Sequence, residues 1–306
     1  MITDTDLGDP VEEREALGPG VDIRSASARS PEEVIAAAEN ADGLLVQWAP
    51  ITEAVIGSLP RLRAIVRYGI GLDNIDLEAA QRSRVLVSNV PDYCIDEVAE
   101  HTVALILSLA RRIPALSNAI KAGGWAPDLV STPRRFSQQS VGLVGFGRIG
   151  RLVAQKCAAE GFQTLAWDPF LDTEAFGGIS RCSTLEELAF HSDFLSLHVP
   201  ATDETTHLVG AEVLAALGTH GYVVNTARGA LIDEVALLEA LDSGRIAGAG
   251  LDVVVTEPPT GTSLRLVQHD RVVATPHIAY LSTTSLTTLK RRAGEIMAEL
   301  LGLPSV

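Results

Sequence analysis

The chain has 306 residues, enough for two domains of ordinary size, with 46% hydrophobic and 5% aromatic residues and no low-complexity tract. Its formal net charge of −15 argues against nucleic acid and anionic membrane surfaces as direct partners, since both call for basic patches. A small anionic ligand held by a few arginines stays open. Three scattered cysteines, Cys94, Cys157 and Cys182, form neither a disulfide framework nor a metal-ligand pattern, so no metal and a reducing cytoplasm are expected. The acidic start, Met1-Ile2-Thr3-Asp4, lacks a signal-peptide core, and the apolar run Val103 to Ala110 is too short to span a bilayer.

Strands and helices alternate from the start. Ile2-Thr3 makes a clipped first strand, for which an upstream start and a shortened edge both fit, and Val21-Asp22-Ile23-Arg24 reads as a short strand. Ser30-Pro31-Glu32-Glu33 opens a helix with proline at its first position. Gly43 to Val46 reads as a buried strand and Ala64 to Val66 and Val85 to Val87 as further strands, interleaved with helices near 52–59 and 76–81. Such alternation implies a parallel sheet. A helical pattern then runs from Asp92 to about Lys121, where Pro114 predicts a kink or a second helix. Its wide apolar surface suggests packing against another domain or subunit. Gly123-Gly124-Trp125 ends it and leads into a polar segment, Ser131 to Gln139.

The segment Val141-Gly142-Leu143-Val144-Gly145-Phe146-Gly147-Arg148-Ile149-Gly150 joins a buried strand to a helix through three spaced glycines. Gly145 permits a tight turn, Gly147 lets backbone approach a pyrophosphate, and Gly150 lets helix and strand pack closely. The next strand, Gln163 to Trp167, ends in Asp168, placed to accept hydrogen bonds from ribose hydroxyls. Further strands are expected at about 193–198, 221–226, 246–252 and 271–274, with helices near 148–160, 184–189, 208–216 and 233–243. Six strands in this pattern make a doubly wound sheet that binds its ligand at the carboxyl strand ends. Thr283 to Leu301 closes the chain as one amphipathic helix.

Three loops at strand ends carry the chemistry: 223–229 with Arg228, 250–259 with Glu257, and 274–279 with His277. The arginine fork can clamp a carboxylate through two bonds; taken alone, a surface ion pair is its plainer reading. A histidine can exchange a proton with a hydroxyl at neutral pH, and a neighbouring carboxylate would orient it and stabilise its cation. The other candidates, His101, His191, His207, His220 and His269, read as structural.

These loops, together with Arg67-Tyr68-Gly69-Ile70-Gly71-Leu72-Asp73-Asn74-Ile75-Asp76, Asn89-Val90-Pro91 and Leu197-His198-Val199-Pro200, resemble the D-isomer-specific 2-hydroxyacid dehydrogenase family from Leu44 to Leu301. The resemblance implies an α/β protein in which a doubly wound parallel-sheet NAD(P)-binding Rossmann domain (94–282, with dimerisation helices 94–125) is inserted into a smaller flavodoxin-like α/β substrate domain (1–93 plus 283–306). It implies NAD as cofactor and a small anionic 2-oxo or 2-hydroxy acid as substrate, interconverted by hydride transfer. His277 would act as acid/base, Glu257 would tether it, and Arg228 would bind the carboxylate with the backbone of Ile70 and Gly71 on its other side. Gly145, Phe146, Gly147 and Gly150 would form the turn, Arg148 and Ile149 would cap the pyrophosphate, and Asp168 would take the ribose. Val199, Pro200 and Thr205, after His198, would flank the adenine half. Thr226, Asp252 and Ala279 would surround the nicotinamide half, Asp252 holding its carboxamide, with Val98, Ala227, Arg228, His277 and Tyr280 completing the cofactor contacts.

Ile70 is not the lysine found there in the similar phosphite dehydrogenases. Tyr280 and Asn89-Val90-Pro91-Asp92-Tyr93-Cys94 resemble the C-terminal-binding-protein branch, which includes NAD-sensing transcriptional co-repressors. An NAD(H)-sensing dimeric binding protein and a dehydrogenase of a phosphonate-type anion are therefore the alternatives to the 2-oxo acid enzyme. Pro169 and Phe170 follow Asp168 where a 2′-phosphate would need basic or hydroxyl groups, which favours NAD over NADP. A homodimer through residues 98–125 completes the expectation.

Overall fold

Short aliphatic runs bounded by capped helices become parallel strands, and they gather into two separate sheets. We describe residues 1–125 and 132–304 of a computed structural model; Ser131, the first residue of the expected polar segment, lies outside the described residues. The chain forms two units, one of residues 1–94 together with the segment from Leu281 onward, the other of residues 95–280.

The smaller unit begins with α1 (Val11–Leu17), α2 (Pro31–Ala38), β1 (Gly43–Val46), α3 (Glu53–Ser58), β2 (Ala64–Arg67), α4 (Leu77–Arg82) and β3 (Leu86–Asn89). Its helix starts are written in side chains: Ser30 and Glu33 form a capping box on α2, and Thr52 and Asp76 cap α3 and α4. The sheet is β1-β2-β3, all parallel. Ile2 extends it by single parallel bridges to Leu45 and to Ser25. Taken with those bridges, the order is the flavodoxin-like 2-1-3-4-5. The expected strand at 21–24 does not form. Asp22 and Arg24 point outward and pair with each other at 2.9 Å, leaving Ile23 as the only buried side chain of the four, and pairing is confined to Ser25.

The larger unit contains α5 (Ile95–Ala110), α6 (Ile113–Lys121), β4 (Ser140–Val144), α7 (Arg148–Ala159), β5 (Gln163–Trp167), β6 (Ser180–Arg181), α8 (Leu185–Phe190), β7 (Phe194–Leu197), α9 (Ala211–Leu217), β8 (Tyr222–Asn225), α10 (Glu234–Asp242), β9 (Gly248–Leu251), α11 (Gly261–Val267) and β10 (Val272–Ala274). Its parallel sheet runs β10-β9-β8-β7-β4-β5-β6, with the reversal of strand order on either side of β4. One face is packed by α5 and α7 through residues such as Ile106, Val153 and Cys157. The other is packed by α8, α9 and α10 through Leu188, Leu214 and Leu237. Three strands or α-helices escaped the sequence reading: α1 in the smaller unit and, here, β6, whose two residues are both exposed, and α11, whose Gly-Thr-Ser start carries no apolar periodicity.

Pro114 starts a second helix. Arg112 takes a left-handed conformation (φ 58°) and the chain bends by 60° between α5 and α6. The apolar face of α5 is consumed within its own unit, where Leu105 and Leu109 pack against β9 at Gly250. In α6 no residue is buried, and Ile113 and Ile120 are exposed. Among the described residues no single helix is long and apolar enough to cross a membrane. Cys94, Cys157 and Cys182 are buried and not joined in disulfides, and burial pushes the Cys157 thiol up to about 12.

The last helix, α12 (Thr283–Leu301), belongs to the smaller unit and lies on α1. A methyl group on Gly294 would stand 2.8 Å from the Ala16 side chain, so glycine permits the crossing. Lys290 spans the same interface. Its ammonium donates to the Asp9 carbonyl at 2.6 Å, pairs with Glu12 at 2.6 Å and lies 3.9 Å from Glu13. The Tyr68 hydroxyl donates to the other Glu13 oxygen at 2.7 Å. Glu13 is 2% exposed and burial raises its carboxyl above the ordinary range. Removing the cation strands these carboxylates, so Lys290→Met is expected to cost about 3 kcal/mol. Thermal melts of Lys290→Met, and of Lys290→Met with Glu13→Gln, check this: the second substitution should recover part of the loss.

Candidate active site

Strand β4 ends in the glycine turn. Gly145 has a φ of 90°, and a side chain there would meet Val199 at 2.7 Å and the His198 carbonyl at 2.8 Å. A side chain on Gly150 would strike the Gly145 carbonyl, whereas one on Gly147 would meet no protein atom within 4 Å. Gly147 is also the N-cap of α7 and supplies no side-chain cap, so the first amides of that helix face the open side of the turn. An anion suits that position. Arg148 is exposed at the helix start and Ile149 is half-buried. Phe146 turns inward and stacks on Phe176 at 5.3 Å, so only its backbone belongs to the turn. That backbone is held by Asp168, whose carboxylate accepts from Phe146 N at 2.9 Å and from Phe170 N at 3.0 Å. Asp168 thus ties β5 to the turn. These residues fit a dinucleotide, with glycine where backbone must come close and an acid at the end of the second strand.

After β7, His198 lines the turn and its Nε2 lies 2.9 Å from Ser196 Oγ. The residue keeps some surface exposure, yet desolvation of its ring pushes it down to about 3, so the imidazole is neutral. Beyond Val199 the chain turns at Pro200, whose carbonyl accepts from the Thr205 hydroxyl at 2.7 Å.

Strand β8 ends in Asn225, fully buried, whose side chain shapes the loop that follows. Its amide donates to the Arg228 carbonyl at 2.8 Å and its oxygen accepts from Ala227 N at 3.0 Å. Thr226 Oγ1 lies 2.8 Å from Thr102 Oγ1, and Thr102 spends its one proton on the Val98 carbonyl at 2.7 Å. Thr226 is therefore the donor of that pair, and Val98 is joined to it through α5. The Arg228 guanidinium donates to the Ala227 carbonyl at 2.7 Å. Gly229 packs so tightly on Val254 that any side chain would strike the Val254 and Val255 backbone.

That contact brings the Arg228 loop against the Glu257 loop. Glu257 Oε1 accepts from Val254 N at 3.1 Å, while its Oε2 lies 2.6 Å from His277 Nδ1. A carboxylate only accepts, so Nδ1 carries the hydrogen and Nε2 is the ring atom left for proton exchange. Glu234 and Ser263 fix the same loop, Glu234 accepting from Val255 N at 2.8 Å and from Ser263 Oγ at 2.7 Å. His277 itself sits at a φ of 52°, a conformation non-glycine residues adopt rarely. Asp252 holds it there. This carboxylate, 2% exposed, accepts from Thr275 Oγ1 at 2.6 Å, Ile278 N at 3.0 Å and Ala279 N at 2.9 Å, while its carbonyl accepts from His277 N at 2.8 Å. Since Thr275 gives its proton to Asp252, His101 Nε2 is the donor in its 2.9 Å contact with Thr275. The Tyr280 ring stands edge-on to His277 at 6.4 Å.

The loops of Arg228, Glu257 and His277 thus meet at the carboxyl edge of the larger sheet, with Thr226, Ala227, Asp252 and Ala279 beside them. Ile70 and Gly71 belong to the smaller unit, where Asn89 Nδ2 donates to the Ile70 carbonyl at 2.5 Å. His101, Thr102, Asn225, Glu234 and Thr275 were not assigned to the site from sequence. Only Asn225 and Thr275 lay inside the quoted loops; the others act across distances that no local pattern records.

His198 gives the pH dependence a sign. Its folded value of about 3 lies below the unfolded value of about 6.5, so acid protonates the unfolded chain first and stability falls with pH across that window. Relative to His198→Asn, the wild type should lose about 1.4 kcal/mol for each unit between pH 6 and pH 4. Parallel thermal melts of the two proteins over that range measure it.

A sequence model of the D-isomer specific 2-hydroxyacid dehydrogenase NAD binding domain matches residues 103–279, over half of the chain. The chain is 39% identical over 287 residues to the D-3-phosphoglycerate dehydrogenase of Mycobacterium tuberculosis, covering 93% of this chain and 53% of that protein. It is 35% identical to the enzyme of the same name from Methanocaldococcus jannaschii, covering 98% and 56%. The chain spans about half the length of these curated relatives. Among solved structures it resembles the D-lactate dehydrogenase of Aquifex aeolicus complexed with NAD and lactic acid, with a TM-score of 0.88 and 29% identity over 98% of this chain and 95% of that one. With a glycine turn tied to Asp168 and a carboxylate-tethered histidine on the same sheet edge, this chain belongs to the D-isomer specific 2-hydroxyacid dehydrogenase family.

Proposed function

We propose that the protein is an NAD-dependent oxidoreductase that interconverts a 2-oxo acid and its D-2-hydroxy acid. The observation that carries this reading is the 2.6 Å contact between His277 Nδ1 and Glu257 Oε2, on a loop packed against that of Arg228. Bound NADH supplies hydride to the substrate C2. Arg228 clamps the substrate carboxylate in two bonds and draws electron density toward it. His277 delivers a proton from Nε2 to the C2 oxygen, and Glu257 stabilises the imidazolium that precedes this transfer. Asp252 keeps the His277 loop in its left-handed turn throughout. The amides at the start of α7 take the pyrophosphate, and Asp168, with its remaining lone pairs, accepts from the adenosine ribose. Its negative charge disfavours a 2′-phosphate, which supports NAD over NADP.

The protein acts as a homodimer in this proposal, and the contact is narrowed from the expected 98–125 to α6 and its continuation. Ile113, Ile120 and Trp125 are 55%, 50% and 84% exposed, and no residue of α6 is buried. Cytoplasmic residence is likewise proposed, supported by three buried cysteines that form no disulfide with one another.

Oxidation of NADH in the presence of short 2-oxo acids tests the activity; tight NADH binding with no turnover of any of them would sink it. His277→Ala should lower kcat by about 10²- to 10⁴-fold with NADH affinity preserved. Glu257→Gln should retain more activity than His277→Ala, as steady-state rates will record. Light scattering at micromolar concentration should give a dimer mass that Ile113→Asp with Ile120→Asp reduces to the monomer.

A further inference from the structure

Of the three loops that carry chemistry, that of His277 has the weakest footing in the sheet. It follows β10, a strand of three residues at the end of the larger sheet beside β9. The loops of Arg228 and Glu257 follow β8 and β9, which are paired on both sides. So short an edge strand offers few ladder bonds to hold the backbone beyond it.

Helix α5 supplies what the strand lacks. It packs on β8 and β9, with Leu105 and Leu109 against Gly250. Two consecutive residues of this helix reach two of the loops. Thr102 Oγ1 accepts at 2.8 Å from Thr226, two residues before Arg228. His101 Nε2 donates at 2.9 Å to Thr275 Oγ1, two residues before His277. The second link leads directly under the imidazole. Thr275 owns one hydroxyl proton and gives it to Asp252 Oδ1 at 2.6 Å, so its lone pairs are what His101 meets. The same Oδ1 accepts from Ile278 N at 3.0 Å and stands 3.6 Å from His101 Nε2. The Asp252 side chain is fully buried, and that of His101 is 22% exposed. Without the imidazole donor, Thr275 loses the restraint that keeps its hydroxyl aimed at Asp252. The left-handed turn at His277 rests on that carboxylate.

We propose, resting on the dehydrogenase reading, that His101 is a positioning residue for the reaction: through Thr275 and Asp252 it holds the backbone that aims the His277 ring. The proton it donates sits on Nε2, the far nitrogen of its ring, and this makes the role testable. Glutamine carries an amide nitrogen at the reach of Nε2, asparagine carries one at the reach of Nδ1, and phenylalanine fills the space of the ring with no donor.

The test is the single-turnover rate of NADH oxidation by the purified full chain with pyruvate, glyoxylate and 4-methyl-2-oxopentanoate. Wild type, His101→Phe, His101→Asn and His101→Gln are compared, each with its NADH affinity from quenching of protein fluorescence. His101→Phe and His101→Asn should slow oxidation about 10- to 10²-fold, the scale of a displaced reacting group. NADH affinity should stay within about twofold of wild type. His101→Gln should recover most of the rate, because it returns the donor to Thr275. A packing role alone gives the reverse order, with the ring-sized phenylalanine ahead of glutamine. That order, a rate for His101→Phe close to wild type, or equal rates for His101→Asn and His101→Gln overturns the proposal. The asparagine and glutamine pair decides the matter even where His101→Phe does not fold. A fall in NADH affinity as large as the fall in rate also overturns it, since His101 would then serve the cofactor and not the aim of His277. Failure of all three acids in wild type with NADH still bound would instead overturn the dehydrogenase reading and this inference with it.

Discussion

The site depends on a buried carboxylate that gathers backbone. Asp252 accepts from Ile278 N, Ala279 N and the Thr275 hydroxyl, and those bonds make a left-handed turn at His277 tolerable. A buried charge without such partners would be costly; with them it becomes a rigid support, because each donor must return to its place. Everything chemical follows from that placement. The imidazole presents Nδ1 to Glu257 only while the backbone under it is held.

The same device recurs. Asp168 collects the amides of Phe146 and Phe170 and sets the glycine turn. Asp4 collects those of residues 47, 48 and 49. In each case an acid at the end of one parallel strand satisfies the backbone of a loop that follows the same or another strand. Parallel sheets leave irregular loops at their carboxyl edge, where backbone donors lack ladder partners. An acid supplies acceptors for several donors at once, so loops of different strands become one fixed surface. In the proposed function, dinucleotide binding and proton exchange both draw on surfaces prepared this way.

What could be read from the chain follows from how local each constraint is. The turn at Gly145 was legible because three glycines and an acid at a set distance answer to one physical requirement. Helix starts at Ser30, Thr52 and Asp76 were legible because caps sit beside what they cap. The pairing of Glu257 with His277 spans 20 residues and reached the sequence reading through family resemblance, not through spacing. Thr102 and Thr226 are 124 residues apart, and nothing local announces them. The apolar face of α5 was visible, but periodicity does not say whether such a face meets its own sheet or another subunit. The residues flanking Ile23 had too little to bury, so a strand that looked regular dissolved into one bridge at Ser25.

The enclosed thiols add a practical property. Cys94 lies in the smaller unit, Cys157 and Cys182 in the larger, and all three are buried; a Cys157 thiol pushed up to about 12 holds essentially no thiolate at neutral pH. Alkylating reagents can therefore reach these sulfurs chiefly when the surrounding structure opens. The chain carries its own labels for local opening, one assigned to one fold and two to the other, without any engineered tag.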